Sequence, residues 1–365
     1  PDMRVLLPAE IVNHTFHNIY TLRGAEVRDS RLWWKAVDTI IEKYGDNIDT
    51  ICATHHWPTW GHERCMKRLE IHRDSYKCLH DQCLRLMKQG YTSTEVAEQF
   101  PLTDALGKEW AMRGYYGTWS HGAKAVYQKY LGWFDMNPAN LHPLPPEDVA
   151  KEYVEFGGGS AAVLAKVKDA FEKGKYRWAA EAGKHLIFAE PQNADALLLL
   201  ADIYEQLGYQ CECGTWRCVY LMGALELRLA AEGKSANPTS STINPALTNA
   251  MEDEMFFDFA AFHLNAPKAG DEVITIEFDQ TDRKTVWALQ IKNGVLNFHK
   301  NKQYPIFDAK VKLTRNDFSH LILGLSTVEE LETSGAIKVE GKSQKLSRFF
   351  ELMDVFTLDI NIVTP

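Results

Sequence analysis

Hydrophobic residues recur at helical steps through most of the first two thirds of the chain and alternate at strand spacing through much of the last third. Leu32, Trp33, Ala36, Val37, Ile40 and Ile41 fall on one face of a helix predicted over Ser30–Tyr44, with Ser30 as its N-cap and Gly45 as its stop. Leu6-Leu7 leads into Glu10, and the run from Asp49 to Ala53 breaks off before His55, the pattern of buried strands with polar groups at their C-terminal ends. The first sixty residues therefore read as a β-α-β unit. From His62 to about Gly90, Cys65, Leu69, His72, Tyr76, Leu79, Cys83, Leu86 and Met87 spell one long helix. Thr92-Ser93-Thr94-Glu95 opens a short second one by the pairing of a hydroxyl with a later acid.

An aromatic loop, Gly114 to His121, precedes a helix predicted over Gly122–Phe134 and an extended Pro-rich strap from Asn137 to Pro146. Ala-rich helices fill Gly159 to Gly233. Gly174-x-Tyr176 and Gly208-Tyr209 stand one 34-residue period apart, which is similar to tetratricopeptide packing with a single full repeat. The polar, turn-forming segment Ala236 to Pro245 marks the last domain boundary. Beyond it the pattern is α+β: a helix through Met251–Phe262, strands over 273–278, 284–291, 295–298 and 309–314, a helix Arg315–Leu323, a strand over 335–341 and a final helix Ser343–Val355. Asn293-Gly294 predicts a tight hairpin between the second and third strands.

With 365 residues, 45% of them hydrophobic, the chain can bury a large core in two or three domains. A net charge of −9 and an isoelectric point near 5.8 argue against nucleic acid as a partner. No run of about eighteen apolar residues predicts a membrane span. Seven cysteines, an odd number, cannot all pair, and Cys211-x-Cys213 with Cys218 lacks the second ligand pair of a zinc finger, so free or structural thiols are expected.

Candidate chemistry gathers in two stretches, Ala9–Ala25 and His55–Gly61. A carboxylate (Glu10), an amide (Asn18), a guanidinium (Arg23) and a histidine pair (His55, His56) lie at predicted strand ends or loops, where they can converge. Glutamate and histidine are ordinary zinc ligands, while arginine and asparagine can grip a tetrahedral anion. The pattern A-E-x-x-x-H-T-x-H-N-x-Y-T-L-R-G-A followed by H-x-W-P-x-W-G resembles the alkyl sulfatases of the metallo-β-lactamase superfamily. That resemblance implies a two-zinc centre hydrolysing sulfate esters of long alkyl alcohols such as dodecyl sulfate. It implies Glu10 and His55 as metal ligands and Asn18 and Arg23 as the sulfate-binding pair, with His56, Tyr115 and His121 as supporting residues around them. It assigns no catalytic acid or base to this chain. His62 departs from the family, which usually has asparagine there.

None of the thirteen histidines forms the family's main zinc motif, H-x-H-x-D-H. The expectation is a mixed α and β, multidomain chain: the C-terminal part of a metallo-β-lactamase αββα sandwich over residues 1–64, inactive alone, then an all-α dimerisation domain over 65–236 and an α+β domain over 240–365. R-G-Y-Y-G with Ser120-His121, and N-P-A-N-L-H from Asn137, carry the likeness to the sulfatases' dimerising domain, which implies a homodimer. V-x-L-T-x-x-D-F from Val311 and S-G-x-I-K-V-E-G from Ser334 resemble sterol-carrier-protein-like domains, so Phe256, Phe257, Phe259, Phe349, Phe350 and Met353 either line an acyl tunnel or fill a core. The competing readings are a non-catalytic lipid-binding scaffold and a metallo-hydrolase acting on phosphate esters or lactones. The family resemblance implies a periplasmic or secreted protein, whereas the thiols fit a reducing compartment such as the cytoplasm.

Overall fold

Strand β1 (Val5–Leu6) pairs in parallel with β2 (Thr50–Ile51), helix α1 (Ser30–Tyr44) lies between them in sequence, and β3 (Thr59–Trp60) runs antiparallel to β2. The computed structural model describes residues 3–234, 244–356 and 360–365. The β-α-β order is as the apolar pattern predicts, with strands of only two residues each. Asp29, not Ser30, caps α1: its carboxylate accepts from the amides of Arg31 and Leu32, and Ser30 is the first helical residue. A charged acceptor at the positive end of a helix outcompetes a hydroxyl one position later.

Helix α2 (His62–Lys88) buries the predicted stripe from Cys65 to Leu86. Its first turns close over Val12, Val37, Ile48 and Ile51 beside the small sheet, and its later turns pack Tyr76, Leu79 and Cys83 among helices. Each wholly buried leucine of that stripe contributes about 2 kcal/mol. Next come α3 (Ser93–Glu98), with the expected Thr92–Glu95 capping box, α4 (Asp104–Gly107) and α5 (Trp119–Leu131). Helix α5 starts three residues before the predicted Gly122, because the Thr118 hydroxyl accepts from the His121 amide and fixes the start there.

Five further helices follow: α6 (Pro146–Phe156), α7 (Ser160–Glu172), α8 (Tyr176–Ala189), α9 (Ala194–Gln210) and α10 (Gly214–Ala231). The Pro-rich strap ends by starting α6, since a proline in the first turn has no amide to waste. The 34-residue echo does not mark equivalent places. Gly174 adopts φ +70 in the turn before α8, whereas Gly208 lies inside α9, where a Cβ would come 3.0 Å from Leu221.

The chain divides into two compact bodies, Pro1–Ala236 with Asn361–Pro365, and Asn237–Ile360. The amides of Ile362 and Val363 both donate to the Glu226 carboxylate, which ties the C-terminus to α10. Of the segment 236–245, read from sequence as a boundary, only its last two residues lie within the described residues.

The second body carries α11 (Pro245–Ala250), α12 (Asp253–Ala261) and α13 (Ala266–Ala269), then β4 (Ile274–Gln280), β5 (Thr285–Lys292), β6 (Val295–Lys300) and β7 (Ala309–Leu313). It ends with α14 (Arg315–Ile322), α15 (Val328–Thr333), β8 (Lys338–Gly341) and α16 (Ser343–Glu351). The sheet order is β6-β5-β4-β7-β8, and only β4 and β7 are parallel. Asn293 and Gly294 both take positive φ, 56° and 69°, the turn predicted between β5 and β6. Phe256, Phe257 and Phe349 are wholly buried, and with Phe278 and Phe318 they pack ring on ring at 4.4–5.8 Å, while Phe259 and Phe350 are half-buried. This aromatic stripe fills a core. All seven cysteines are free, and among the described residues no helix is long and apolar enough to cross a membrane.

Candidate functional site

Because β1 and β2 are parallel and paired Val5 to Thr50 and Leu6 to Ile51, their C-terminal ends leave the sheet at the same edge. Glu10 and His55 each lie four residues past their strand, and the Thr54 amide donates to the Ala9 carbonyl to hold the two connections together. Ligand groups gather at such edges in α/β sheets. The result is His55 Nε2 3.3 Å from Glu10 Oε1, with both side chains about half exposed, 54% and 49%. Two donors on one tetrahedral zinc with bonds of about 2.0–2.1 Å stand roughly 3.3 Å apart, so the pair is compatible in length with two positions of such a shell. Among the described residues no group of three or more His, Cys, Asp or Glu is placed to hold a metal, the Cys211–Cys218 segment included.

His56 goes elsewhere. Its backbone has φ +68, rare for a non-glycine residue, and its Nε2 lies 3.4 Å from the Thr15 hydroxyl instead of facing Glu10.

Between Glu10 and α1 the chain forms no helix or strand of its own, and its neighbours suspend it. Val12, Phe16 and Ile19 are buried, with Phe16 stacked on Tyr76 and Trp119. Arg68 of α2 donates to the Val12 carbonyl, the Tyr76 hydroxyl bridges the amide and carbonyl of His17, and the Asn18 amide donates to the Tyr116 carbonyl. His17 Nδ1 lies 2.7 Å from the Asn18 carbonyl, which can only accept, so Nδ1 carries the proton and Nε2 keeps a free lone pair. Burial lowers the pKa of His17, as burial and then Arg68 do for His14, and His72 beneath them is pushed by burial down to about 3. These imidazoles are neutral near pH 7.

Two cavities result. One, of about 430 Å³, is lined by Asn13, Thr15, His17, His55, His56, Tyr115 and Tyr116. The other, of about 460 Å³, is lined by Asn18 and Arg23 with Leu22 and Tyr116. Tyr116 belongs to both. Arg23 is exposed and has no charged or hydrogen-bonded partner among the described residues, whereas Asn18 is buried and its amide oxygen accepts from Arg28 at 3.4 Å. Gly117 sets how closely the tyrosine loop approaches: a Cβ there would stand 2.4 Å from Asn18 Cβ, and its φ of +102 already favours glycine.

Of the supporting residues expected from the sequence, Tyr115 and His56 border the histidine cavity and His121 does not. His121 lines a separate cleft, donating from Nε2 to the Tyr20 carbonyl and accepting at Nδ1 from Trp216, so both ring nitrogens are occupied. Three residues of this region escape a sequence reading. Asn13 is 2% exposed and lines the histidine cavity with neither amide atom hydrogen-bonded, an arrangement costing about 1–3 kcal/mol unless a ligand or water completes it. Arg28 holds Asn18. Arg68, lowered by burial to about 10, reaches Thr59 and Val12 from inside a helix whose apolar stripe gives no hint of it.

Residues 92–230 match the family described as alkyl sulfatase dimerisation, and residues 241–365 the family described as alkyl sulfatase C-terminal. A linear primary-alkylsulfatase from Pseudomonas sp. is 44% identical over 100% of this chain and 54% of its own length. An alkyl/aryl-sulfatase from Saccharomyces cerevisiae is 43% identical over 100% of this chain and 56% of its length. The chain thus spans about half the length of these curated relatives. A stereoselective inverting sec-alkylsulfatase from Pseudomonas sp. superposes with a TM-score of 0.93 at 40% identity, covering 100% of this chain and 57% of that one. A second Pseudomonas linear primary-alkylsulfatase is 30% identical and matched over 97% of this chain and 68% of its own. The chain belongs to the alkyl sulfatase family.

Proposed function

We propose that this chain forms part of a metal-dependent site that hydrolyses alkyl sulfate esters to alcohol and inorganic sulfate, with zinc the metal. The observation that supports this most is the meeting of Glu10 and His55 at one sheet edge, beside a cavity that shares Tyr116 with the hollow of Asn18 and Arg23. Glu10 and His55 are two donors of the metal shell, and a complete tetrahedral shell needs further donors beside them. When bound, the metal lowers the pKa of water and stabilises charge developing on oxygen. Arg23 binds sulfate oxygens through its guanidinium fork, and Asn18, held by Arg28 and the Tyr116 carbonyl, fixes the sulfate's orientation. Tyr115 and His56 shape the cavity wall.

In the same reading the small sheet with α1 and α2 is the C-terminal part of a metallo-β-lactamase-type sandwich, and the second body is a sterol-carrier-like domain. The helical segment joins two copies. Phe156, Trp178 and Tyr209 on α6, α8 and α9 are 92%, 59% and 63% exposed, more aromatic surface than a monomeric bundle needs to show.

The test is incubation of the full-length protein with dodecyl sulfate, following inorganic sulfate with and without a chelator. Chelator-sensitive sulfate release is expected. Hydrolysis of phosphate esters with sulfate esters untouched would contradict the substrate assignment.

A further inference from the structure

Leu22 lines the Arg23 hollow on one side and, on the other, a cleft of about 780 Å³ that is larger than either polar cavity. That volume is within the range of small-molecule sites, about 300–1,000 Å³. Its walls are two helix faces. On α10, Trp216, Val219 and Tyr220 recur at three- and four-residue steps and so share one side. The same stripe continues into Gly223, Ala224 and Leu227, which are buried, so the cleft lies at the N-terminal, uncovered end of that face. On α5, His121, Lys124, Ala125 and Gln128 recur the same way. Tyr20, Leu22 and Val27 close the floor.

The cleft is built and not merely left open. Trp216 Nε1 donates to His121 at 3.0 Å, and His121 donates to the Tyr20 carbonyl at 2.8 Å, so wall and floor are locked by one hydrogen-bonded relay. At the start of α10, the Gly214 amide donates to the Tyr115 carbonyl and the Gly117 amide donates to Cys213 Sγ. The apolar wall is therefore pinned to the loop that positions Asn18.

Shared lining residues put these spaces in a fixed order: histidine cavity, Tyr116, the Asn18 and Arg23 hollow, Leu22, apolar cleft. We infer that the cleft between α5 and α10 takes the hydrocarbon tail of an anionic amphiphile whose sulfate end is held at Arg23, and that Leu22, Val219 and Tyr220 set the chain length accepted. This assignment rests on the sulfatase reading for its head group. The occupant follows from complementarity: an unpaired cation stands at one end, and beyond it lies a cleft of mainly aromatic and aliphatic side chains, with Glu26, Ser93, Lys124 and Gln128 also in its lining and the His121 ring nitrogens both hydrogen-bonded. A short ester would leave this apolar surface in water, whereas each methylene buried there adds about 0.8 kcal/mol.

Val219 is exposed and lines neither the Arg23 hollow nor the histidine cavity, so Val219→Trp in the full-length protein fills the cleft without altering either of them. Two readouts separate the claims. kcat/KM for dodecyl sulfate is expected to fall about tenfold, with hexyl sulfate within about twofold, the discrimination that loss of a few methylene contacts gives. Calorimetric binding of dodecane-1-sulfonate, which has no ester bond to break, should weaken by a similar factor relative to hexane-1-sulfonate. Val219→Ser, a smaller change that preserves folding, should move both ratios in the same direction. Equal effects on long and short chains, or no effect in well-folded variants, overturn the tail site. Chain-length-dependent sulfonate binding in a parent that releases no sulfate would sustain the tail site and overturn the hydrolytic reading instead.

Discussion

Arg23→Ala in the full-length protein is expected to lower kcat/KM for dodecyl sulfate by a factor on the order of 10²–10³ and to leave metal content unchanged, as the proposed loss of a charged contact to developing negative charge requires. The size of the effect follows from the site. Arg23 has no carboxylate to neutralise it and no hydrogen-bond partner among the described residues, so its full charge is available to an anion in the hollow it shares with Asn18. Arg23→Lys keeps the charge and loses the fork, and is expected to recover only part of the rate. Steady-state kinetics on both variants, with elemental analysis of each, is the check. A loss of metal with Arg23→Ala, or an unchanged kcat/KM, would remove Arg23 from sulfate binding.

Asp253→Ala has the largest expected effect on stability. Its carboxylate is bonded to the guanidinium of Arg315, whose side chain is only 2% exposed, and also to Arg283 at 3.2 Å and the Thr285 hydroxyl at 3.3 Å. Burial lowers the Arg315 pKa to about 10, with Arg283 adding to that and Asp253 opposing it. Arg315 also lies 3.9 Å over the Phe256 ring, in the aromatic core itself. Removing Asp253 strands a buried cation, which costs about 3–5 kcal/mol. Hydrogen exchange of the β4 and β5 amides should accelerate by two orders of magnitude or more if those amides exchange by unfolding of the second body. A change below about 1 kcal/mol would show that Arg315 finds another partner.

What the sequence made legible depended on range. The β-α-β order, the α2 stripe, the capping box at Thr92 and the Asn293-Gly294 hairpin are local signals, readable because neighbouring residues carry them. The pairing of Glu10 with His55 could be expected because both follow apolar runs that a parallel sheet brings side by side. The start of α6 was hidden because prolines that break a helix interior also begin one. The repeat at Gly174 and Gly208 misled because a glycine serves equally for a left-handed turn and for close helix packing. The separation of His121 from the histidine cavity depends on Trp216, nearly a hundred residues away, and no local pattern carries that contact. Asn13 and Arg68 matter through burial and unmet hydrogen bonding, which only a folded chain defines.

In the proposed site Glu10 and His55 share a metal while His56 does not, although the two histidines are adjacent and both line one cavity. Metal content per subunit of the full-length protein, measured by elemental analysis in His55→Ala and His56→Ala beside the parent, tests it directly. His55→Ala is expected to lose on the order of half the metal or more, because a removed imidazole opens the shell, and His56→Ala to stay near the parental value. Metal retained in His55→Ala, or lost in His56→Ala alone, would contradict it.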